Sequence, residues 1–321
     1  MPSLKSQMLR YVAHFVNAWI PDHKSLLADR ERFEQFGQSF RVLSGTLVAT
    51  IDIDGLHSEW VIPPNALPQR TIFYLHGGGY KVGSCASHRA MVSYIAEACQ
   101  AQTLLPDYRL APEHPFPAAL EDAITAYHWL LSQGHTPENV VIMGDSAGGG
   151  LALATLLSLR EQGTPLPATT VLFSPWADLA LTGESVKTRA HAEILLRIGI
   201  LKDMAHKYYG DHDVRWPLIS PLYADLHGLP PMLIHVGDDE ILLNDSTRLA
   251  ERAQAAGVDA TLTVWLGMWH LFHWAVLYDV SESKQAIAEI AAFVDKHVGQ
   301  PAEGRSAKKR VSPAENVPFN D

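Results

Sequence analysis

The chain has 321 residues, of which 47% are hydrophobic and 19% are charged. This balance is typical of a globular protein with a large core, and it excludes a disordered, collagen-like or coiled-coil chain. The 25 Lys and Arg residues against 35 Asp and Glu residues give a formal net charge of −10. The chain therefore has no general attraction to nucleic acid or anionic lipid.

Two further features bear on where the protein works. Its cysteines, Cys85 and Cys99, are too few for a disulfide scaffold and are expected to be buried small hydrophobes. No apolar run approaches the length of a membrane span, and no secretory signal stands at the start. We therefore expect a cytoplasmic protein.

The first part of the chain, residues 1–45, is predicted to be helical. Two stretches carry apolar residues at helical spacing, first Met8, Val12, Phe15 and Trp19, then Phe33 and Phe36. Both apolar faces are expected to pack on the rest of the protein.

From residue 47 the pattern changes to short apolar runs that are typical of strands. Two of them flank Asp54-Gly55 and predict a β-hairpin. Six more alternate with helical stretches, which favours a parallel sheet covered on both faces. The predicted strands are 47–53, 60–62, 71–75, 103–105, 140–143, 170–173, 232–236 and 261–265. The predicted helices are 87–100, 118–131, 147–160, 244–256 and 281–297.

One interval breaks this alternation. Between the strands that end at Phe173 and begin at Met232 lie almost sixty residues, far more than one crossover needs. We predict an insertion at about 180–215, with a helical stretch over 184–209, that forms a lid with the N-terminal helices. Residues 46–300 then form the main domain. Residues 301–321 are poor in large apolar side chains and predict a flexible, solvated tail.

The strongest local motif is Gly144-Asp145-Ser146-Ala147-Gly148, which matches G-x-S-x-G. A predicted strand precedes it and a predicted helix follows it, and strand, sharp turn and helix form a nucleophile elbow. The turn places Ser146 at a helix N-terminus, where developing negative charge is favoured. An ordinary glycine-rich turn is the alternative interpretation.

A second motif, His76-Gly77-Gly78-Gly79-Tyr80, directly follows a predicted strand. Three successive glycines are costly to order, which indicates a need for unusual backbone angles or close backbone approach. Convergent N–H groups around an oxyanion would supply that need. Nucleotide binding is the weaker alternative, because both the P-loop and the G-x-G-x-x-G spacings are absent.

A serine nucleophile needs a base, and the base needs an acid to orient it. In this architecture the acid and then the histidine follow the serine along the chain, each after a strand. Gly237-Asp238-Asp239-Glu240 follows one strand, and Asp178 follows an earlier one. His270 and His273 both follow the last strand. Position alone leaves the choice between these neighbours open.

These motifs resemble those of the hormone-sensitive-lipase-like, or bacterial family IV, carboxylesterases of the α/β-hydrolase superfamily. The resemblance is carried by the two glycine motifs above and by a third stretch, Asp107 to Pro117, and it covers about residues 45–298. It implies an α/β-hydrolase fold with an eight-stranded, mostly parallel sheet, helices on both faces and a helical cap. The stretch from Tyr108 to Pro117 is implied to brace the site.

The resemblance also implies roles for single residues. Its D-E-x-L motif aligns Asp239 with the acid, and its G-M-x-H motif aligns His270 with the base. Asp178 then matches a structural position. The implied oxyanion donors are the N–H groups of Gly78, Gly79 and Ala147.

The expected activity is therefore hydrolysis of short- to medium-chain carboxylic esters, with no metal and no cofactor. Tyr80 and Trp176 are expected to line the substrate pocket, and the bulky Trp269 beside the base makes long acyl chains less suitable. Lactone or amide hydrolysis on the same triad and a catalytically silent small-molecule binder are the alternatives. The expected partner is a small ester, without nucleic acid or a membrane span, and relatives suggest a homodimer.

Overall fold

A mixed sheet of eight strands forms the centre of the protein in the computed structural model, which describes residues 2–19 and 25–298. The strand order is β1-β2-β4-β3-β5-β6-β7-β8. β2 is antiparallel to both of its neighbours, and the remaining pairs are parallel. The strands are β1 (Leu47–Ile53), β2 (Leu56–Ile62), β3 (Thr71–Leu75), β4 (Gln102–Pro106), β5 (Val140–Asp145), β6 (Thr169–Phe173), β7 (Met232–Gly237) and β8 (Ala260–Trp265).

The strand predictions are confirmed, with boundaries that move by a few residues. Every residue of β3, β5, β6 and β7 is buried, as expected for parallel strands covered on both faces. The predicted hairpin turn is also present, because Asp54 and Gly55 both have positive φ and the Gly55 N–H donates to the Asp52 carboxylate at 2.9 Å. Two residues with positive φ form the tight turn whose twist suits antiparallel strands.

Helices cover both faces of this sheet. One face carries the larger apolar cluster, beneath α4, α5, α7 and α8, and the other carries a cluster beneath α3 and α9. The helices are α1 (Leu4–Trp19), α2 (Leu26–Gln38), α3 (Cys85–Ala98), α4 (Ala118–Ser132), α5 (Ala147–Glu161), α6 (Ser185–Thr188), α7 (Ile198–Tyr209), α8 (Leu243–Ala255) and α9 (Ser281–His297).

The insertion differs from its prediction. The stretch 184–209 is not one helix but two, α6 and α7, separated by an irregular segment. Within that segment the Glu193 carboxylate accepts hydrogen bonds from the backbone N–H groups of Leu195 and Leu196, at 2.8 Å and 3.2 Å. These bonds satisfy backbone groups that a continuous helix would have paired internally.

The contact face of α1 also differs from its prediction. Met8 and Val12 are 70% and 53% exposed, so they do not form the packing face. Instead Ser6 is buried, and Leu9 and Ala13 pack against the cluster that contains Met268 and Trp269. The side chains of Phe15 and Trp19 lie outside the described residues, as does the predicted tail 301–321.

Both cysteines are buried and unpaired, which confirms the expectation from the sequence. Within residues 2–19 and 25–298, no helix is long and apolar enough to cross a bilayer.

Candidate active site

Ser146 lies at the turn between β5 and α5. It is 5% exposed and its φ is 52°, a left-handed conformation that is strained for a residue with a side chain. The turn requires its flanking glycines, because a Cβ on Gly144 would lie 2.2 Å from the Gly148 carbonyl oxygen. A Cβ on Gly148 would lie 2.1 Å from the Leu75 carbonyl oxygen. This is the predicted elbow, with the serine held at the carboxyl edge of the sheet.

His270 lies in the loop after β8, opposite Ser146. Its Nε2 is 3.1 Å from the Ser146 Oγ, within hydrogen-bond distance. The loop bends sharply at the next residue, Leu271, which has a φ of 55°. Of the two histidines that the sequence left open, the structure therefore brings His270 to the serine.

The carboxylate beside His270 belongs to Glu240, and the expectation that Asp239 fills this place is wrong. The Nδ1 of His270 is 2.8 Å from the Glu240 Oε2. The Asp239 side chain instead forms an ion pair with Arg10 of α1. The Asp239 side chain is 22% exposed, whereas that of Glu240 is fully buried.

Glu240 is fully buried and its second oxygen is also occupied. Oε1 accepts hydrogen bonds from the Gly237 N–H at 2.6 Å and from the Ser174 hydroxyl at 2.8 Å. A buried carboxylate is stable in this position only because each oxygen has a donor. The arrangement fixes the carboxylate against one edge of the imidazole while Ser146 meets the other.

The charge balance around His270 follows from these neighbours. Burial opposes a positive imidazolium, but the hydrogen bond and charge of Glu240, assisted by Glu193 and Asp145, raise the pKa of His270 above its ordinary value of 6.5. Burial also raises the pKa of Glu193, with the nearby Glu240 contributing. The site therefore stabilises a proton on His270.

The glycine loop after β3 lies against the elbow, because a Cβ on Gly148 would lie 2.5 Å from the His76 carbonyl oxygen. Gly78 and Gly79 have φ values of 116° and 63°, so both occupy backbone conformations that favour glycine. Asp145 anchors the loop, because its Oδ1 accepts from the Gly77 N–H at 2.8 Å. Ala147 is the first residue of α5, and the first N–H groups of a helix have no partner within it.

These features agree with those of known proteins. Residues 72–274 match a family described by the α/β-hydrolase fold. An acetyl-hydrolase of Streptomyces hygroscopicus is 47% identical over 245 residues, which are 76% of this chain and 81% of that protein. The crystal structure of an esterase from the bacterial hormone-sensitive lipase family is 42% identical, covers 93% of this chain and 100% of its own, and gives a TM-score of 0.89.

The chain belongs to the hormone-sensitive-lipase family of α/β-hydrolases. A further crystal structure, of EstE5 soaked with p-nitrophenyl butyrate, is 44% identical, covers 92% of this chain and 99% of its own, and gives a TM-score of 0.88. The predicted fold and family are thereby confirmed.

The third motif of this hydrolase, Asp107 to Pro117, packs against the glycine loop. The Tyr108 hydroxyl donates to the His76 carbonyl at 2.6 Å, and the two rings stack at 4.1 Å between centroids. The Ala111 N–H donates to the Tyr80 carbonyl at 2.8 Å. The bracing role that the resemblance implied for this stretch agrees with these contacts.

The two residues expected to line the pocket of the hydrolase have almost no exposed surface. Tyr80 stacks on Tyr208 of α7 with ring centroids 3.6 Å apart, and Trp176 is fully buried. Helix α7 also contacts the glycine loop directly, since a Cβ on Gly79 would lie 2.3 Å from the Met204 sulfur. Tyr80 and Trp176 are thus packed in the interior, and their contact with substrate stays a prediction.

Two candidates from the sequence have other contacts. Asp178 is buried and pairs with Arg248, with Nη2 to Oδ2 at 2.8 Å. His273 stacks on His235, and two of their ring nitrogens are 3.2 Å apart. Among the hydrogen bonds of the described residues, neither side chain bonds to Ser146 or Glu240, so both have structural surroundings.

One group of side chains in the described part of the hydrolase could hold a metal ion. His57, Cys85 and Asp107 bring their ligand atoms within 4.8 Å of one another. Each already has a protein partner: the Cys85 thiol donates to the Leu105 carbonyl, and the Asp107 carboxylate accepts from His57 and from the Cys85 N–H. The group lies outside the line of Ser146, His270 and Glu240.

Proposed function

We propose that this protein is a serine carboxylesterase for short- to medium-chain esters, in which Ser146, His270 and Glu240 form the catalytic triad. The observation that carries the proposal is the hydrogen-bonded line from the Ser146 Oγ through His270 to the buried Glu240 carboxylate. The named activities of the relatives, acetyl-hydrolase and esterase, support the same reaction. A protein that only binds a small molecule would not need a serine, a histidine and a carboxylate hydrogen-bonded in this order.

The first chemical step is attack of the Ser146 oxygen on the ester carbonyl carbon. His270 Nε2 takes the hydroxyl proton as the O–C bond forms, and Glu240 stabilises the resulting imidazolium and fixes the ring orientation. The tetrahedral intermediate then breaks its bond to the alcohol, which receives the proton from His270. Water repeats the sequence on the acyl-enzyme and releases the acid.

The negative charge of the tetrahedral oxygen needs donors close by. We assign this role to the N–H groups of Gly78, Gly79 and Ala147. Both glycines have positive φ, and a Cβ on either would collide with the protein, at the Val82 carbonyl oxygen for Gly78 and at the Met204 sulfur for Gly79. Ala147 begins a helix whose N-terminus favours anions. Loss of one such donor typically costs about 10²–10³ in rate.

The acyl group is expected to be short. Helix α7 lies against the glycine loop, with Met204 close to Gly79 and Tyr208 stacked on Tyr80. We infer that these contacts restrict the acyl pocket. Butyrate is a suitable test length, since the related EstE5 was soaked with its p-nitrophenyl ester. Hydrolysis of lactones or amides on the same residues, a homodimer and a cytoplasmic location stay predictions.

The proposed function is tested by labelling and by turnover. A sulfonyl fluoride should react at Ser146, forming an O–S bond and releasing fluoride, with complete loss of ester hydrolysis. Mass spectrometry of the digested protein should place the adduct on the peptide that contains Ser146. Turnover of p-nitrophenyl esters from acetate to palmitate should be greatest for short chains. Full activity of the labelled protein, or an adduct elsewhere, would contradict the proposal.

The pH dependence follows from the raised pKa of His270. The base must be neutral to accept the serine proton, and its pKa in the folded protein lies above 6.5. We therefore expect kcat/KM for p-nitrophenyl butyrate to fall on the acid side with a midpoint above pH 6.5, since this ratio reports groups of the free enzyme. A rate profile measured in buffers of constant ionic strength checks this. A midpoint well below that value would show that Glu240 does not govern the imidazole.

A further inference from the structure

One side chain of the first helix reaches both active-site loops. Nη1 of Arg10 donates to the Asp239 carboxylate and, at 3.3 Å, to the Gly267 carbonyl. Nη2 donates to the Ala192 carbonyl at 3.0 Å. The Arg10 and Asp239 side chains are 28% and 22% exposed, so the ion pair is mostly shielded from water. One guanidinium thus connects three segments that are far apart in the sequence.

Each acceptor adjoins a part of the proposed site. Asp239 directly precedes Glu240, and Gly267 lies three residues before His270. Ala192 directly precedes Glu193, whose Oε2 accepts from the Ile241 N–H at 3.2 Å on the far side of Glu240. The insertion and α1 therefore hold the Glu240 loop from two directions.

The two loops are also joined to each other, so a shift in one would move the other. The Asp239 N–H donates to the Met268 carbonyl at 3.1 Å. In return, the Gly267 N–H donates to the Asp238 carboxylate at 2.5 Å. Arg10 contacts both ends of this junction, at the Asp239 carboxylate and the Gly267 carbonyl.

We propose that Arg10 is a positioning residue, which sets the Glu240–His270 geometry by holding Asp239, Gly267 and Ala192 in register. The proposal rests on the proposed function of these two residues. Arginine suits the role because its planar fork donates in several fixed directions, whereas a lysine ammonium on a flexible stem does not impose the same geometry. Within the described residues, the hydrogen bonds of Arg10 go to Asp239, Gly267 and Ala192 and not to Ser146 or the glycine loop, so it acts through the Glu240 and His270 loops.

A purely structural role in attaching α1 is the alternative, and the helix offers a matched control. Lys5 pairs with Asp279 at 2.9 Å, and this second attachment of α1 does not involve the Glu240 or His270 loops. Lys5→Met removes a cation from the same helix with a similar change in side-chain size. If attachment of α1 were the whole effect, the Lys5 and Arg10 variants would behave alike.

The experiment compares Arg10→Met, Arg10→Lys, Lys5→Met, Asp239→Asn and Arg10→Met/Asp239→Asn with wild-type protein, using p-nitrophenyl butyrate. A misplacement of about 1 Å can cost about 10² in rate, so we expect Arg10→Met to lower kcat by about 10- to 100-fold. KM should change less than about threefold, because the pocket is untouched. Arg10→Lys should recover little, and Lys5→Met should match wild type.

Two further readouts separate positioning from stability. The acid midpoint of kcat/KM should move to lower pH in Arg10→Met, because a displaced Glu240 no longer raises the pKa of His270 as strongly. The double variant should be no slower than Arg10→Met, since both changes break one contact. Circular dichroism and thermal unfolding check that each variant is folded. If Arg10→Met does not fold, the same comparison is made with Arg10→Lys. An Arg10→Met enzyme with wild-type kcat and pH profile would overturn the inference while leaving the triad intact.

Discussion

Ser146→Ala is expected to lower kcat for p-nitrophenyl butyrate by about 10⁵–10⁶ while leaving the fold unchanged. Removal of the nucleophile of a serine hydrolase typically costs about this much, because the remaining donors support only slow attack by water. Alanine fits the site, since it is smaller than serine and Ser146 is almost fully buried. The measurement is kcat under saturating ester, with a thermal unfolding curve beside it.

Serine variants elsewhere provide the control. Ser132→Ala, at the C-terminal end of α4, removes a hydroxyl that donates to the Trp129 carbonyl and accepts from the Gln133 side-chain amide, and it should keep wild-type activity. His270→Ala should approach the loss seen in Ser146→Ala, and the double variant should lose little more, because the residues act as a unit. A Ser146→Ala enzyme that kept even one hundredth of the wild-type rate would contradict a serine nucleophile.

Glu240→Gln is expected to lower kcat by about 10⁴. Loss of the charge in a comparable triad, with the geometry kept, has that size of effect, because an amide can stabilise the wrong imidazole tautomer and no longer compensates the imidazolium. Glutamine preserves the length and shape of the side chain, so Gly237 and Ser174 still have an acceptor. The pKa of His270 should also fall, which moves the acid limb of the rate profile to lower pH.

The neighbouring residue offers a control of the same chemistry. Asp239→Asn likewise replaces a carboxylate by an amide, one position earlier, but it weakens only the pair with Arg10. We expect a loss of no more than about tenfold, in line with a positioning contact. Steady-state kinetics of both variants decides between the two carboxylates. If Asp239→Asn lost about 10⁴ and Glu240→Gln only a little, the acid would be Asp239 after all.

Much of this fold could be predicted because its signals are local. The buried runs of β3, β5, β6 and β7 read as near-continuous apolar stretches, and the glycines around Ser146 are demanded by contacts within a few residues or across one strand pair. The elbow and the glycine loop could therefore be predicted from their own residues. The choice of His270 over His273 needed the family resemblance.

The acid could not be chosen in the same way, since three carboxylates stand in a row at 238–240. Which one faces His270 depends on the tertiary structure, in which Glu240 meets the imidazole and Asp239 meets Arg10 of the first helix. Helical spacing likewise named Met8 and Val12 as the packing face of α1, whereas the contacts are made by Ser6, Leu9 and Arg10. Polar partners supplied by distant loops have no signature in periodicity.

The attachment of α1 has a consequence for how the protein is made. The helix is synthesised long before its partners, because Ser3 bonds Glu282 across 279 positions and Arg10 bonds Gly267 across 257. During translation these contacts cannot form until the ribosome has released the last strand. The strands β1–β6 can pair with one another before these partners are synthesised. Helix α1 stays without its partners during that time. A polypeptide cut off before residue 267 would therefore hold the Ser146 elbow without His270, its base.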